Sequence, residues 1–126
     1  MGSDADTDVQ VLDPEAARAL YSLLGDDREA LAEIVDAFLD EAPVRVAELH
    51  DGVAQGDAAL AGRAAHSLKS GGLTFGAAGL AAVCRQLETS SRAGELRGCD
   101  ELVGTVDASW EQVRRELVAL RDRGPR

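Results

Sequence analysis

The chain has 126 residues, the length of a single domain, with 23 acidic and 13 basic side chains and a net charge of −10. Such a surface repels nucleic acid and anionic lipid, so neither is expected as a partner. Aromatics are only 3% and strand-like runs of Val, Ile, Thr and aromatics are absent, which points to a core of Leu, Val and Ala between packed helices.

No stretch approaches the ~20 apolar residues that a membrane span needs. The start of the chain shows neither the basic residues nor the apolar run of a secretory signal. Cys84 and Cys99 make a poor disulfide framework and read as small buried apolar groups. The expectation is a cytoplasmic protein with reduced thiols.

Residues 1–10 are polar, Asp-rich and aperiodic, and read as a disordered lead. Asp13-Pro14 then makes a good helix start, Asp as N-cap and Pro at the first helical position. Ala17, Leu20, Tyr21 and Leu24 share one face, and Gly25 ends the helix. Asp26 followed by Glu29 suggests a capping box opening the second helix. Its apolar stripe runs through Leu31, Ile34, Val35, Phe38, Leu39, Ala42, Val46, Leu49 and Val53. Pro43 interrupts this segment, but the stripe keeps its phase, so one kinked helix ending at Gly56 is expected.

Asp57 caps a third helix. At about 100° per residue, Leu60, Ala61, Ala64, Leu68, Gly71 and Gly72 fall on one side. Gly62, Arg63, His66, Lys69 and Ser70 fall on the other and should point away from the core. Thr74-Phe75-Gly76 is a turn. A fourth helix carries Leu80, Val83, Cys84 and Leu87 at the spacing of a buried stripe and closes between Ser90 and Gly94. In the last helix Leu96, Cys99, Val103, Val106, Trp110, Val113, Leu117 and Leu120 alternate by three and four. Trp110 on that seam reads as core. Gly98 and Gly104 each weaken this helix by about 1 kcal/mol relative to Ala, and Gly124-Pro125 ends it. Short connections make neighbouring helices antiparallel. The expected fold is all-α: an up-down four-helix bundle over residues 11–122, with a short N-terminal capping helix and a tail at 123–126. Such a bundle buries its own stripes, which favours a monomer.

Chemistry has few places to reside. The only histidines are His50 and His66, and neither belongs to a Glu-x-x-His pair, so a di-metal bundle is disfavoured. No cysteine pair has zinc spacing. Gly71-Gly72 is not a phosphate-binding loop. Ser67 points about 100° away from His66. Ser70 is within reach, but no carboxylate is expected near enough to orient the imidazole, which argues against hydrolase chemistry. His50 reads as an exposed or rim residue. His66 can act alone, because a neutral imidazole offers a nucleophilic lone pair at physiological pH. Arg63 and Lys69, one turn to either side, make a basic island around it in an acidic chain, and Lys69 can contact phosphoryl oxygens.

Ala65-His66-Ser67-Leu68-Lys69, then Gly76-Ala77, then Leu80, Cys84, Leu87 and Glu88 resemble the signature of the histidine-containing phosphotransfer (HPt) family. The Leu12-Asp13-Pro14 opening and the Phe38-Leu39 to Ala42-Pro43 run are similar to family members too, so the resemblance extends from about Val11 to Leu120. It implies a phosphorelay intermediate without kinase activity of its own. His66 would accept a phosphoryl group and exchange it with a receiver-domain aspartate, and Lys69 would stabilise the group. Gly62, Arg63 and Ser70 would form the docking face. The implied partners are a response-regulator receiver domain and a hybrid or sensor histidine kinase. No cofactor or metal is expected on this chain, since Mg²⁺ belongs to the receiver. A non-catalytic adaptor that binds such partners without carrying phosphate is the other reading, disfavoured by the intact His66 and Lys69. The chain departs from the family pattern at Ser70, where glycine is usual, and at Gly71 and Gly72. Two consecutive helical glycines cost roughly 2 kcal/mol relative to alanines, so close helix approach is expected to compensate.

Overall fold

The computed structural model describes residues 10–125. The lead expected at residues 1–10 therefore lies, apart from Gln10, outside the described residues. Among the described residues five helices follow one another: α1 (Pro14–Leu23), α2 (Arg28–Gln55), α3 (Ala58–Thr74), α4 (Ala78–Arg92) and α5 (Asp100–Arg123). The last four close a ring of neighbours, with α3 packed most extensively on α4, then α2 on α3, α2 on α5 and α4 on α5. This is the expected four-helix bundle. The short α1 rests lightly on α2 and α3. No helix among the described residues is long and apolar enough to cross a membrane.

The helix starts follow local chemistry. Asp13 accepts a hydrogen bond from the Glu15 amide at 3.0 Å, with Pro14 in the first turn. Asp57 accepts from the Leu60 amide at 3.1 Å. The second helix begins one residue later than expected. Asp27, not Asp26, is its cap and accepts from the amides of Glu29 at 2.9 Å and Ala30 at 3.1 Å. Asp26 continues the left-handed turn begun at Gly25, with φ of 57°, so its backbone cannot open a helix. Pro43 lies inside an unbroken α2, as the continuous stripe implied. Pro43 is exposed and leaves the Leu39 carbonyl without its helical donor.

The last helix differs from expectation at its start. Cys99 is the N-cap and α5 begins at Asp100, so Leu96, Gly98 and Cys99 precede it. Gly98 has φ of 83°, a turn conformation. The apolar spacing runs on through this turn because Leu96 and Cys99 pack on the same core as the helix that follows. Periodicity reports which way residues face, not whether their backbone is helical.

The core is aliphatic with one aromatic knot. Phe38 stacks on Phe75 at 5.8 Å between ring centres and meets the edge of Trp110 at 5.5 Å. Phe75 caps α3 and is fully buried, which anchors the α3–α4 turn. Burying such a ring contributes about 1.5–3 kcal/mol. The adjacent Gly76 carbonyl accepts from the Asp13 amide at 3.0 Å. A side chain at Gly76 would lie 2.6 Å from the Asp13 Cβ, so α1 can dock there only on a glycine. The α3–α4 hairpin is thus held from α1, α2 and α5.

Candidate functional site

The hairpin turns one face of α3 outward and presents His66 on it. Ala61, Ala64, Ala65 and Leu68 are buried below, while Arg63, His66 and Ser70 are exposed. The helical wheel placed all of these but Ala65, which it assigned to neither side. Lys69 and Gly62 differ from the expected open position. The Lys69 side chain is only 20% exposed, because it reaches sideways to α4. Gly62 is half-buried at the α3–α4 seam, where a Cβ would stand 3.2 Å from the Ser91 Cβ.

Both departures lead to α4, Gly62 to Ser91 and Lys69 to Glu88, a residue that local spacing does not connect to the site. Glu88 places Oε2 2.7 Å from His66 Nδ1, and its Oε1 accepts from Lys69 Nζ at 2.6 Å. Arg92, one turn on, reaches Oε2 at 3.4 Å. The expectation that no carboxylate stands near the imidazole is therefore wrong. Glu88 lies 22 residues from His66 in sequence, and only the antiparallel packing of α3 on α4 brings them together. One signal was available: Glu88 is the only acidic residue in either helix.

The Lys69 hydrogen bond, aided by a smaller contribution from His66, holds the Glu88 carboxyl below its ordinary range against the opposing effect of burial. Glu88 is therefore an anion at neutral pH and can only accept hydrogen bonds. In the neutral imidazole the proton must then sit on Nδ1, donated to Glu88, which leaves the lone pair on Nε2. The His66 side chain is 60% exposed, so that lone pair is open to an approaching macromolecule. Beneath the site, burial foremost and the Glu88 charge next push the Cys84 thiol up to about 12, opposed by Lys69. Cys84 is thus a neutral packing residue.

His50 lies elsewhere, its Nε2 2.8 Å from an Asp107 oxygen, and ties α2 to α5. It takes no part in the His66 cluster. Among the described residues no group of three His, Cys, Asp or Glu side chains could hold a metal ion.

A lone histidine steered on one nitrogen and open on the other fits a phosphoryl carrier, and the comparisons agree. The Hpt domain family profile matches residues 33–122. The chain belongs to the Hpt domain family. It is a phosphotransfer protein of a phosphorelay, a phosphoryl-carrying module and not a kinase. Hpt domains act in two-component relays, whose other members are receiver domains and kinases. The structure is similar to the crystal structure of histidine-containing phosphotransfer protein B (HptB) from Pseudomonas aeruginosa PAO1. The two share 30% identity with a TM-score of 0.83, over 91% of this chain and 97% of that one. A search of curated proteins gave no match.

Proposed function

We propose that His66 is the residue that carries the phosphoryl group, through Nε2, and that it exchanges the group with the aspartate of a response-regulator receiver domain. The observation that carries this reading is the Glu88 contact to Nδ1, which leaves Nε2 both nucleophilic and exposed. In the forward step the Nε2 lone pair attacks phosphorus of the aspartyl phosphate. An N–P bond forms, the P–O bond to the aspartate breaks, and the aspartate leaves as a carboxylate. The Nδ1 proton stays in place, so the ring becomes cationic as the N–P bond forms. The Glu88 carboxylate faces that developing charge at 2.7 Å, where a preorganised anion is most effective. Return of the group to an aspartate reverses each step. The receiver supplies the Mg²⁺ and the acidic pocket.

Lys69 stabilises the phosphoryl group in this scheme. Its ammonium has three donors and Glu88 takes one, so the others remain for phosphoryl oxygens once the side chain swings toward Nε2. Arg63 and Ser70, exposed on the same line, and Gly62 at the seam form the docking face.

The test is labelling with a phosphorylated receiver domain or a sensor or hybrid kinase. The wild type should acquire an acid-labile, base-stable adduct, and His66→Gln should acquire none. Equal labelling of His66→Gln would overturn the assignment. Partner binding and signalling output left intact by His66→Gln would instead favour an adaptor. Lys69→Ala should shorten the lifetime of the adduct or slow its transfer; unchanged kinetics would remove Lys69 from the scheme.

A further inference from the structure

Beside His66, toward the start of α3, a groove of about 610 Å³ runs between α3 and α4. Ala58, Ala59 and Gly62 line it from α3 and Ser91 from α4. These small side chains are what make the groove: none extends beyond a hydroxyl. Arg63 and Arg92 stand along it next to His66 and Glu88. Both arginines are exposed.

The two helices that form this groove carry charge opposite to that of the molecule. Helices α3 and α4 together carry four cations (Arg63, Lys69, Arg85 and Arg92) against Glu88 alone, a net +3. The whole chain is at −10, so the remainder is at −13. Glu88 is already shared between His66 and Lys69 through its shortest contacts. Its contact with Arg92 is the longest of the three, and one carboxylate cannot neutralise Lys69, Arg92 and Arg63 together.

Resting on the phosphotransfer reading above, we infer that this groove is a specificity subsite that takes an acidic side chain from the docking surface of the receiver domain, held between Arg63 and Arg92 while His66 meets the aspartate. The arginine forks suit a carboxylate. The small walls admit a side chain that a bulkier residue at Ala59 or Gly62 would exclude. The acidic remainder of the surface repels the same partner elsewhere, so the subsite sets orientation as well as affinity.

The experiment uses the full chain and the receiver domain to which it transfers fastest. The chain is first loaded with phosphoramidate, a small donor that needs no protein docking, and transfer to the receiver is then followed. The double reversal Arg63→Glu with Arg92→Glu should lower the second-order transfer rate about tenfold or more beyond any change in phosphoramidate loading. The wild-type rate should fall steeply between ~50 mM and ~500 mM salt, and that of the reversal variant should not. The double alanine variant should lose less in the same direction, and it serves if the reversal does not fold. Transfer by folded variants within about twofold of wild type, or a wild-type rate indifferent to salt, would overturn the subsite and leave the role of His66 standing. A wild type that takes no label from phosphoramidate or from any receiver would sink both.

Discussion

Glu88 serves His66 and Lys69 with different oxygens, and the two contacts separate by mutation. Glu88→Ala removes both. Losing the orienting hydrogen bond should cost about 1.4 kcal/mol, or roughly tenfold in the rate of phosphoryl transfer. Glu88→Gln keeps an amide oxygen for the Nδ1 proton but loses the charge that faces the cationic ring. It should fall between wild type and Glu88→Ala in transfer rate. An Ala variant as fast as wild type would mean that the imidazole needs no orienting partner. Cys84 supplies a second prediction at this scale. With its thiol held up at about 12 and fully buried, it should resist alkylation in the native protein at ~pH 8, where a free thiol with pKa near 8.5 would react. It should react once the chain is unfolded. Mass spectrometry of a timed iodoacetamide reaction gives the answer directly. The outward direction of His66 is legible in the sequence because a helical wheel needs only local spacing. The sideways reach of Lys69 to Glu88 is not, because it depends on how two helices meet.

Helix packing decides what two glycines do. A Cβ at Gly71 would stand 2.2 Å from Cε1 of Phe38, far inside van der Waals contact with the ring. Gly71 therefore exists to admit the Phe38 side chain, and Phe38 in turn organises Phe75 and Trp110. Gly71→Ala should destabilise the fold by about 1–3 kcal/mol through overpacking, despite a gain in helix propensity of about 1 kcal/mol. Gly104 lies in α5 with nothing within 4 Å of a built Cβ, so Gly104→Ala should stabilise by up to about 1 kcal/mol. Urea denaturation of the two variants should give shifts of opposite sign; shifts of the same sign would show that propensity, not packing, governs Gly71. The expectation of close approach thus holds at Gly71 and fails at Gly72. Gly72 is buried, yet its built Cβ makes only ordinary contacts, the nearest 3.5 Å to Leu80. The helices themselves were legible because apolar spacing survives even Pro43. Their ends were less so, for physical reasons: adjacent Asp26 and Asp27 offer the same capping chemistry, and Leu96 and Cys99 face the core from a turn as well as they would from a helix.

For the whole molecule, charge sets two opposed dependences on pH. At neutral pH the net −10 strains the compact state by self-repulsion, and protonation toward the pI near 4.5 relieves it. Certain carboxylates act in the other direction. Hydrogen bonds from Arg114 foremost, with its charge and Arg115 adding, hold Glu111 at about 2, and Glu88 is likewise held below its ordinary range by Lys69 and His66. A carboxylate whose folded pKa is depressed stabilises the fold above its unfolded pKa, here 4.5. That contribution disappears as pH falls through the folded value. Between pH 7 and 5 both pairs are intact while repulsion declines, so the melting temperature should hold or rise. As pH falls below about 4.5 the pairs protonate and it should fall. Glu111 is half-exposed at 46%, and solvent screens its share, whereas Glu88 is screened much less at 12%. Glu88→Gln should accordingly flatten the acid limb more than Glu111→Gln. Circular dichroism melts at about pH 7, 5, 3.5 and 2 decide the matter. A melting temperature that stays level from pH 5 to 2 would show that neither pair is linked to folding. An acid limb that Glu111→Gln flattens as much as Glu88→Gln would show that the shared carboxylate at the His66 site adds nothing special to the stability of the bundle.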